Sequence, residues 1–392
     1  MKKILLLTDF SSGYSRSLLR GIVRYSKEYG PWVFYRMPQY YHELYGDDGV
    51  VRWAGKWKAD AIIAQLENID LNKLNKLKIP IIIQNYRERT DKICNITGDY
   101  FKTGTMAADF FLSRGFSNFA YYGFEDMIWS RERAAGFKHR VEEAGFRVSI
   151  LNIRNRKNEQ WSFNPVAVHN WLLSLPKPVA LFACDDYFAS QITETCKIYN
   201  ITVPDEIAVL GVDNDDLICN ISAPPLSSIV LDVEKGGYQA AGVLHQLMNK
   251  EIARAFDIVI PPLRVESRKS TEKYAVNDKY ILQIIDYIKN NYARPVSITG
   301  IMRLVPLSRR ILEKRFKKEM GISIYQYLLI YRIEQFSELL IKTDKPLAEL
   351  AMECGFEDYK NVTRVFRKYK KTTPLQYRSQ YSENHRQLLK TQ

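Results

Sequence analysis

Cysteine, histidine and long apolar runs are all scarce in this chain, and each shortage removes a class of protein. The five cysteines among its 392 residues, Cys94, Cys184, Cys196, Cys219 and Cys354, form no CxxC pair. Their isolation argues against a zinc ribbon or a disulfide framework and suits a reducing compartment, so a cytoplasmic location is expected. The five histidines (His42, His139, His169, His245 and His385) are scattered without ligand spacing, and neither a metal nor a cofactor is expected. GxxxxGKS/T, GxSxG and HExxH are all missing, which removes a P-loop kinase or ATPase, a hydrolase elbow and a zinc-protease helix. An enzyme is therefore not expected. At the N-terminus Lys2-Lys3 precede only the apolar stretch Ile4–Leu7 before Thr8-Asp9. That is too short for a signal segment or a membrane span, and it reads as a buried first strand.

What the chain does have is positive charge, and most of it lies at one end. Residues 271–392 hold 23 Lys and Arg against 13 Asp and Glu, so they carry +10 of the net +13. Between Tyr359 and Lys390 the sole acid is Glu383. Within this basic end one device is written twice, as LSRRILEKRFKKEMG (307–321) and as GFEDYKNVTRVFRKYKKTTPLQYR (355–378). Val362, Phe366 and Tyr369 fall on one helical stripe, with Lys360, Arg364, Arg367 and Lys371 on the other side. In the first copy Leu312 and Phe316 face inward while Arg310, Glu313, Lys314 and Lys317 face out. A short helix anchored by one apolar seam, with cations and hydrogen-bonding groups opposite, suits a DNA major groove. Cations that neutralise phosphates release counterions and supply the sequence-independent part of such binding. A solvated basic tail would lack the interleaved Phe, Tyr, Val and Leu at helical spacing.

The first 265 residues alternate short apolar runs with amphipathic segments. Strands are expected at Ile4–Thr8, Ala61–Ala64, Ile79–Ile83, Phe119–Tyr122, Val179–Ala183 and Ile207–Val212. Helices are expected around Ser15–Glu28, Tyr100–Ser113, Arg131–Ala144, Pro165–Leu175, Tyr187–Tyr199 and Glu234–Met248. Such alternation predicts parallel sheets covered on both faces, with ligands at the carboxyl ends of the strands. The run is too long for one ordinary doubly wound sheet, so two lobes with a cleft between them are expected. From Pro261-Pro262 to Asp278 apolar periodicity fades and charge rises, which predicts a linker. A helix over Lys279–Asn291, two helix-turn-helix units and a joining helix near Ile324–Ile341 follow.

The unit from Ile301 through Phe316, the segment YRIEQFSELLIKT (331–343) and the ending GF…F…TPLQYR together resemble an AraC-family DNA-binding domain. That resemblance implies two helix-turn-helix subdomains held by a linker helix. They would present Arg309, Arg310, Glu313 and Lys314 from the first recognition helix, and Lys360, Thr363 and Arg364 from the second. Phe316, Gly355, Phe356, Phe366, Pro374 and Tyr377 match the family's packing positions. Ile301-Met302 stands where Leu-Ala is usual, Pro306 occupies the first turn, and Phe336 replaces a usual alanine. The N-terminal part is similar to the periplasmic-binding-protein-like core of LacI-family repressors, without their headpiece. ITGDYFKTG (96–104), WSRERAAGF (129–137), ALFACDDYFAS (180–190), VLGVDNDDL (209–217) and PPLRVESRKST (261–271) carry this likeness.

The two resemblances imply an α/β, two-lobed effector-binding domain over residues 1–270 and an all-α, AraC-type double helix-turn-helix domain over 277–380. They imply a regulator that binds a double-stranded DNA operator, works as a homodimer beside RNA polymerase, activates more often than it represses, and has no membrane partner. The effector would be a small sugar, with D-xylose the first candidate and another pentose, a hexose or a nucleobase the alternatives. Sugar hydroxyls are held by carboxylates and guanidinium forks, with aromatic rings on the apolar faces. Tyr14, Arg16, Glu67, Asp99, Arg133, Asp185 and Asp213 occupy strand-end positions that the resemblance assigns to the effector. Asp99 and Asp185 also stand where a helix N-cap would. Arg131 rivals Arg133, and Asp213 has Asp215 and Asp216 beside it. Trp129 and Phe10 could stack on a sugar or belong to the core.

Overall fold

Uniformly apolar runs such as Ile81–Ile83 and Val179–Ala183 suit inner strands of a sheet with both faces covered. The computed structural model has two such sheets. It describes every residue except 9, 38, 67–69, 154–163, 253–254, 273–275, 277, 371 and 380–392. The strands are β1 (Lys2–Leu7), β2 (Trp32–Arg36), β3 (Ala61–Leu66), β4 (Ile81–Asn85), β5 (Cys94–Gly98), β6 (Phe119–Phe124), β7 (Val148–Ile153), β8 (Val179–Ala183), β9 (Ile207–Val212), β10 (Ser227–Leu231), β11 (Asp257–Ile260) and β12 (Pro262–Glu266). One sheet runs β11-β5-β4-β3-β1-β2 and the other β12-β10-β9-β8-β6-β7. All recorded pairings are parallel except β10 with β12.

The covering helices are α1 (Gly13–Tyr29), α2 (Gln39–Trp57), α3 (Leu71–Asn75), α4 (Tyr100–Leu112), α5 (Ile128–Glu143), α6 (Pro165–Ser174), α7 (Asp186–Ile198), α8 (Asp216–Ile221) and α9 (Val233–Met248). The chain passes between the lobes at 98–100, 231–233 and 260–262. These three crossings are laced together: Asp99 N donates to Ile260 O at 2.9 Å, and Asp232 N to Pro261 O at 3.1 Å. Two lobes on three short, mutually bonded crossings form the expected two-lobed α/β unit.

All six expected strands form, and six more appear that the alternation was too weak to signal. The stretch expected to be a linker from Pro261-Pro262 onward is the clearest correction. Pro262–Glu266 is edge strand β12, and Lys269–Thr271 is a 3-10 turn in which Ser270 and Thr271 are buried. Ser270 Oγ donates to Val209 O at 2.7 Å and accepts from Ser227 N at 2.8 Å. Ser227 Oγ meets Thr271 Oγ1 at 2.7 Å. Polar side chains reach the interior here because hydrogen bonds satisfy them, and no apolar period records that.

Contacts divide the chain into one unit of residues 1–112 with 116–273 and a second of residues 274–392 with 113–115. The second contains α10 (Lys279–Asn291), α11 (Ile298–Met302), α12 (Arg309–Met320), α13 (Ile324–Lys342), α14 (Leu347–Glu353) and α15 (Tyr359–Lys370). Ser297 caps α11 through Gly300 N at 3.0 Å, and Ser323 with Gln326 forms a capping box on α13. The apolar stripes enclose two small cores. Ile281, Ile284, Ile285, Ile288, Leu312 and Phe316 centre the first. Phe336, Leu340, Leu350, Val362, Phe366 and Tyr377 centre the second. Phe336 fills the second core edge-on to Phe366, with ring centroids 5.7 Å apart. Both cores draw on residues 276–377 alone. A fragment spanning 274–392 is therefore expected to show helical circular dichroism and a cooperative melt; a featureless coil spectrum would mean these cores need the first unit.

Candidate functional site

The cleft is built around a buried guanidinium. In α5 Gly136 lets α4 approach so closely that a Cβ there would stand 2.0 Å from Phe101 O. One turn earlier on the same helix, Arg133 is only 3% exposed. Its Nη1 donates to Cys184 O, just past β8, at 2.5 Å, and its Nη2 lies 3.6 Å from Asp213 Oδ1, just past β9. The rings of Tyr100 and Trp129 flank it, with centroids 5.6 and 5.4 Å from its Cζ. Arg133 Nε and Asp213 Oδ1 have no hydrogen-bond partner among the described residues. Burial works against the Arg133 charge, but Asp213 and the surrounding groups outweigh it and hold the guanidinium protonated. The rival Arg131 is exposed and turns to the carbonyls of Glu125 and Arg87.

Asp213 has a φ of 99°, a conformation that costs a non-glycine residue energy and needs support. Its N donates to Ile229 O at 3.0 Å, and Asn214 N donates to Ser228 Oγ at 2.9 Å. Arg268 Nη2 reaches Asn214 Oδ1 at 2.9 Å, and Asp186 Oδ2 accepts from Asp215 N at 2.8 Å. Asp185 caps α7 through Phe188 N at 2.7 Å, so the N-cap alternative is real for this residue. Its carboxyl is nevertheless pushed up to about 7, first by burial and then by Asp213. Burial also raises Asp213, with Arg133 opposing.

The N-terminal lobe contributes a polar relay that sequence reasoning missed. Ser15 Oγ donates to Gln65 Oε1 at 3.0 Å, Gln65 Nε2 to Gln84 Oε1 at 2.8 Å, and Gln84 Nε2 to Tyr14 Oη at 3.0 Å. Gln65 and Gln84 sit at the ends of β3 and β4, and their register partnership in the sheet was the only available signal. Burial raises the Tyr14 phenol well above its usual value, with Tyr100 and Asp213 adding to it. Asp213 is thus brought within electrostatic reach of Tyr14, Arg133 and Asp185.

The other expected residues go elsewhere. Arg16 lies in α1, donates to the carbonyls of Ser11 and Phe10, and pairs with Asp215 at 3.3 Å across the lobes. Gly13 N donates to the same carboxylate at 2.6 Å. Asp99 is at a crossing and caps α4 through Lys102 N at 3.1 Å. Phe10 stacks under Arg36, 4.1 Å from its Cζ. Glu67 lies outside the described residues. A second interlobe pair joins Arg89 to Glu132 at 2.5 and 2.7 Å. Two open depressions of about 720 and 610 Å³ contain none of the four convergent residues. No cluster of His, Cys, Asp and Glu among the described residues could hold a metal, and no described helix is long and apolar enough to cross a membrane.

The raised Asp185 has a thermodynamic consequence. An unfolded aspartate ionises near pH 4 and the folded one near 7, so the native state holds the extra proton between them. Stability is full below the lower value and is lost as pH rises through the higher one, at up to about 1.4 kcal/mol per pH unit for one proton. The melting temperature of the intact chain should therefore fall between pH 5 and 7, and Asp185→Asn should flatten that slope. Equal slopes in both proteins would assign the proton elsewhere.

On the second unit, Arg309, Arg310, Glu313 and Lys314 are exposed on α12 opposite buried Leu312 and Phe316. Arg309 and Glu313 form an exposed pair at 3.0 Å. On α15, Lys360 and Arg364 are exposed and Thr363 half-buried, opposite Val362 and Phe366. Arg364 Nη2 donates to Asn361 Oδ1 at 3.2 Å. Lys371 lies outside the described residues. Each helix follows a shorter one, α11 or α14, across a tight turn, which is the helix-turn-helix arrangement.

Residues 108–271 match the model of the periplasmic binding protein-like domain, and residues 302–380 match that of a helix-turn-helix domain. The xylose operon regulatory protein of Escherichia coli strain K12 is 28% identical over 390 residues, covering 97% of this chain and 98% of that one. The protein of the same name from Haemophilus influenzae is 28% identical over 385 residues, covering 96% and 98%. A solved structure described as a xylose-binding transcription activator superposes with a TM-score of 0.60 at 27% identity, covering 96% of this chain and 97% of that one. Both lobes, the double helix-turn-helix and these end-to-end matches agree: the chain is similar over its length to the xylose operon regulatory proteins, with a periplasmic binding protein-like domain followed by a DNA-binding helix-turn-helix domain.

Proposed function

We propose that this chain is a transcription activator that binds D-xylose in the cleft of its first unit, and that the sugar governs how its two recognition helices engage an operator. The observation that carries the sugar reading is the Arg133–Asp213 pair. Its arginine is buried between the rings of Tyr100 and Trp129, its aspartate is half-buried, and the pair has one donor and one acceptor that no described protein group satisfies. Adjacent sugar hydroxyls are the chemistry that suits such a pair, each accepting from the fork and donating to the carboxylate. Tyr14 and Asp185 complete the set from the two sides. D-xylose is the first candidate because the similar solved structure is described as xylose-binding. Activation beside RNA polymerase and assembly as a homodimer belong to the same proposal, as does a residence in the cytoplasm. Sugar that bridges the lobes favours the closed cleft, and by linkage DNA binding changes with it.

The test is calorimetry and thermal melting against a panel of pentoses and hexoses. A bound sugar raises the melting temperature by mass action. Asp213→Asn is preferable to alanine: both remove the ionic partner of the buried Arg133, but asparagine keeps a side-chain oxygen that can accept from the guanidinium. Asparagine also tolerates the positive φ. A charged hydrogen bond contributes about 1.5–3 kcal/mol, so Asp213→Asn and Arg133→Met should each weaken D-xylose at least about tenfold. Unchanged titrations in both would remove the pair from the site, and a response to hexoses alone would replace the pentose.

For DNA, Arg364 stands in the N-terminal half of α15, where base edges come within reach, and Lys368 near its end, where phosphates do. A bidentate Arg–guanine contact is worth about 1–3 kcal/mol of discrimination, whereas a phosphate contact adds a near-constant, salt-dependent increment. Arg364→Ala should lose preference for operator over scrambled duplex, while Lys368→Ala should weaken both and reduce the salt slope. Equal losses on both duplexes in Arg364→Ala would show that this arginine does not read bases.

A further inference from the structure

The two cores of the second unit share a single helix. Ile324, Tyr327 and Leu328 of α13 pack into the first, and Ile333, Phe336 and Leu340 into the second. Among the described residues no other helix contributes to both. Between the two sets stands Arg332. Its Nε donates to Tyr292 O at 2.8 Å and its Nη2 to Arg294 O at 2.8 Å. Both carbonyls follow α10, on the side of the first core. The opposite face of the guanidinium lies against Phe356 of the second core, 5.9 Å from the ring centroid. Gly355, with a φ of 78°, closes the same junction. A Cβ at that position would stand 2.3 Å from Tyr292 O and 2.8 Å from Arg332 Nη2. Three chain segments thus meet on one planar fork, at the point where α13 passes from one core to the other.

We propose that Arg332 is a positioning residue that fixes the angle and separation of α12 and α15, and with them the spacing of the two DNA segments that the chain can read together. The proposal rests on the helix-turn-helix reading of those helices. A guanidinium suits the task because its donors are held in one plane and lose little freedom on binding two carbonyls. Each base pair added to B-DNA turns the next groove segment by about a tenth of a turn. A rigid pair of reading helices is therefore sharply selective for spacing, and a pair that swivels about α13 is not.

The full-length wild-type chain would first select its operator from a pool of random duplexes. Affinity is then measured on that operator and on versions with one or two base pairs inserted or removed between the two protected segments. Wild type should lose about tenfold or more per altered spacing. Arg332→Met, of similar length but without donors, should bind the original operator about tenfold more weakly and lose only about threefold or less when the spacing changes. Gly355→Ala should flatten the profile in the same way, and Arg332→Lys, which can reach one carbonyl, should fall between. An unaltered spacing profile in Arg332→Met overturns the proposal even if affinity drops, since a uniform loss is what a merely structural arginine would give. If Arg332→Met fails to fold by circular dichroism, Arg332→Lys carries the same comparison, and a wild-type profile there overturns the proposal. A wild-type chain that selects no operator would overturn the DNA reading beneath it instead.

Discussion

The cleft depends on keeping one arginine charged while 97% of its surface is hidden from water. Taking a guanidinium out of water costs several kcal/mol unless its partners are close and well placed. Arg133 has one carbonyl, one carboxylate at 3.6 Å and two aromatic faces, and no partner for its Nε among the described residues. That arrangement dictates much of what surrounds it. Gly136 is needed so that the helix carrying Arg133 lies tight against its neighbour. Asp213 accepts a positive φ to bring its carboxylate to the end of β9, and Ser228, Arg268 and Asp186 are spent on holding that loop. Burial first, and then the neighbouring Asp213, keep Asp185 from ionising freely and hold its proton to near neutrality.

Much of the fold was legible because burial on both faces of a parallel sheet leaves a loud trace. Ala61–Ala64, Val179–Ala183 and Ile207–Val212 are such runs, and all became inner strands. Pro262–Glu266 was misread because only Pro262 of this edge strand is buried and the four residues after it are all half-buried, so neither an apolar run nor an alternation develops along it. Ser270 and Thr271 defeat pattern reading for a different reason: their burial rests on hydrogen bonds to residues some forty positions away. The second unit was easier, since each of its helices except the long α13 is short, local and anchored by a single seam.

The cleft was legible in proportion to how charged its residues are. Asp185 and Asp213 stand out at strand ends and Arg133 in the helix after β6, and the structure brings them together with Tyr14. Gln65 and Gln84 do not stand out, because a glutamine in a strand carries no signature until its neighbour across the sheet is known. Arg16 looked like Tyr14's companion in sequence, yet one helical position separates a phenol turned to Gln84 from a guanidinium turned to Asp215. Asp99 combines two duties that proximity alone could not separate, ending one crossing and starting α4.

Arg268 draws these threads to one place. Its guanidinium holds Leu226 O and Asn214 Oδ1, while its own backbone exchanges hydrogen bonds with Ser227 two residues before Ser270. Asn214 adjoins Asp213, and Thr271 is the last buried residue before the chain leaves the first unit. The loop carrying the cleft's carboxylate and the root of the outgoing segment are therefore fastened by the same side chain. In mechanical language they share a bearing, with Asn214 on one side of Arg268 and Ser227 on the other.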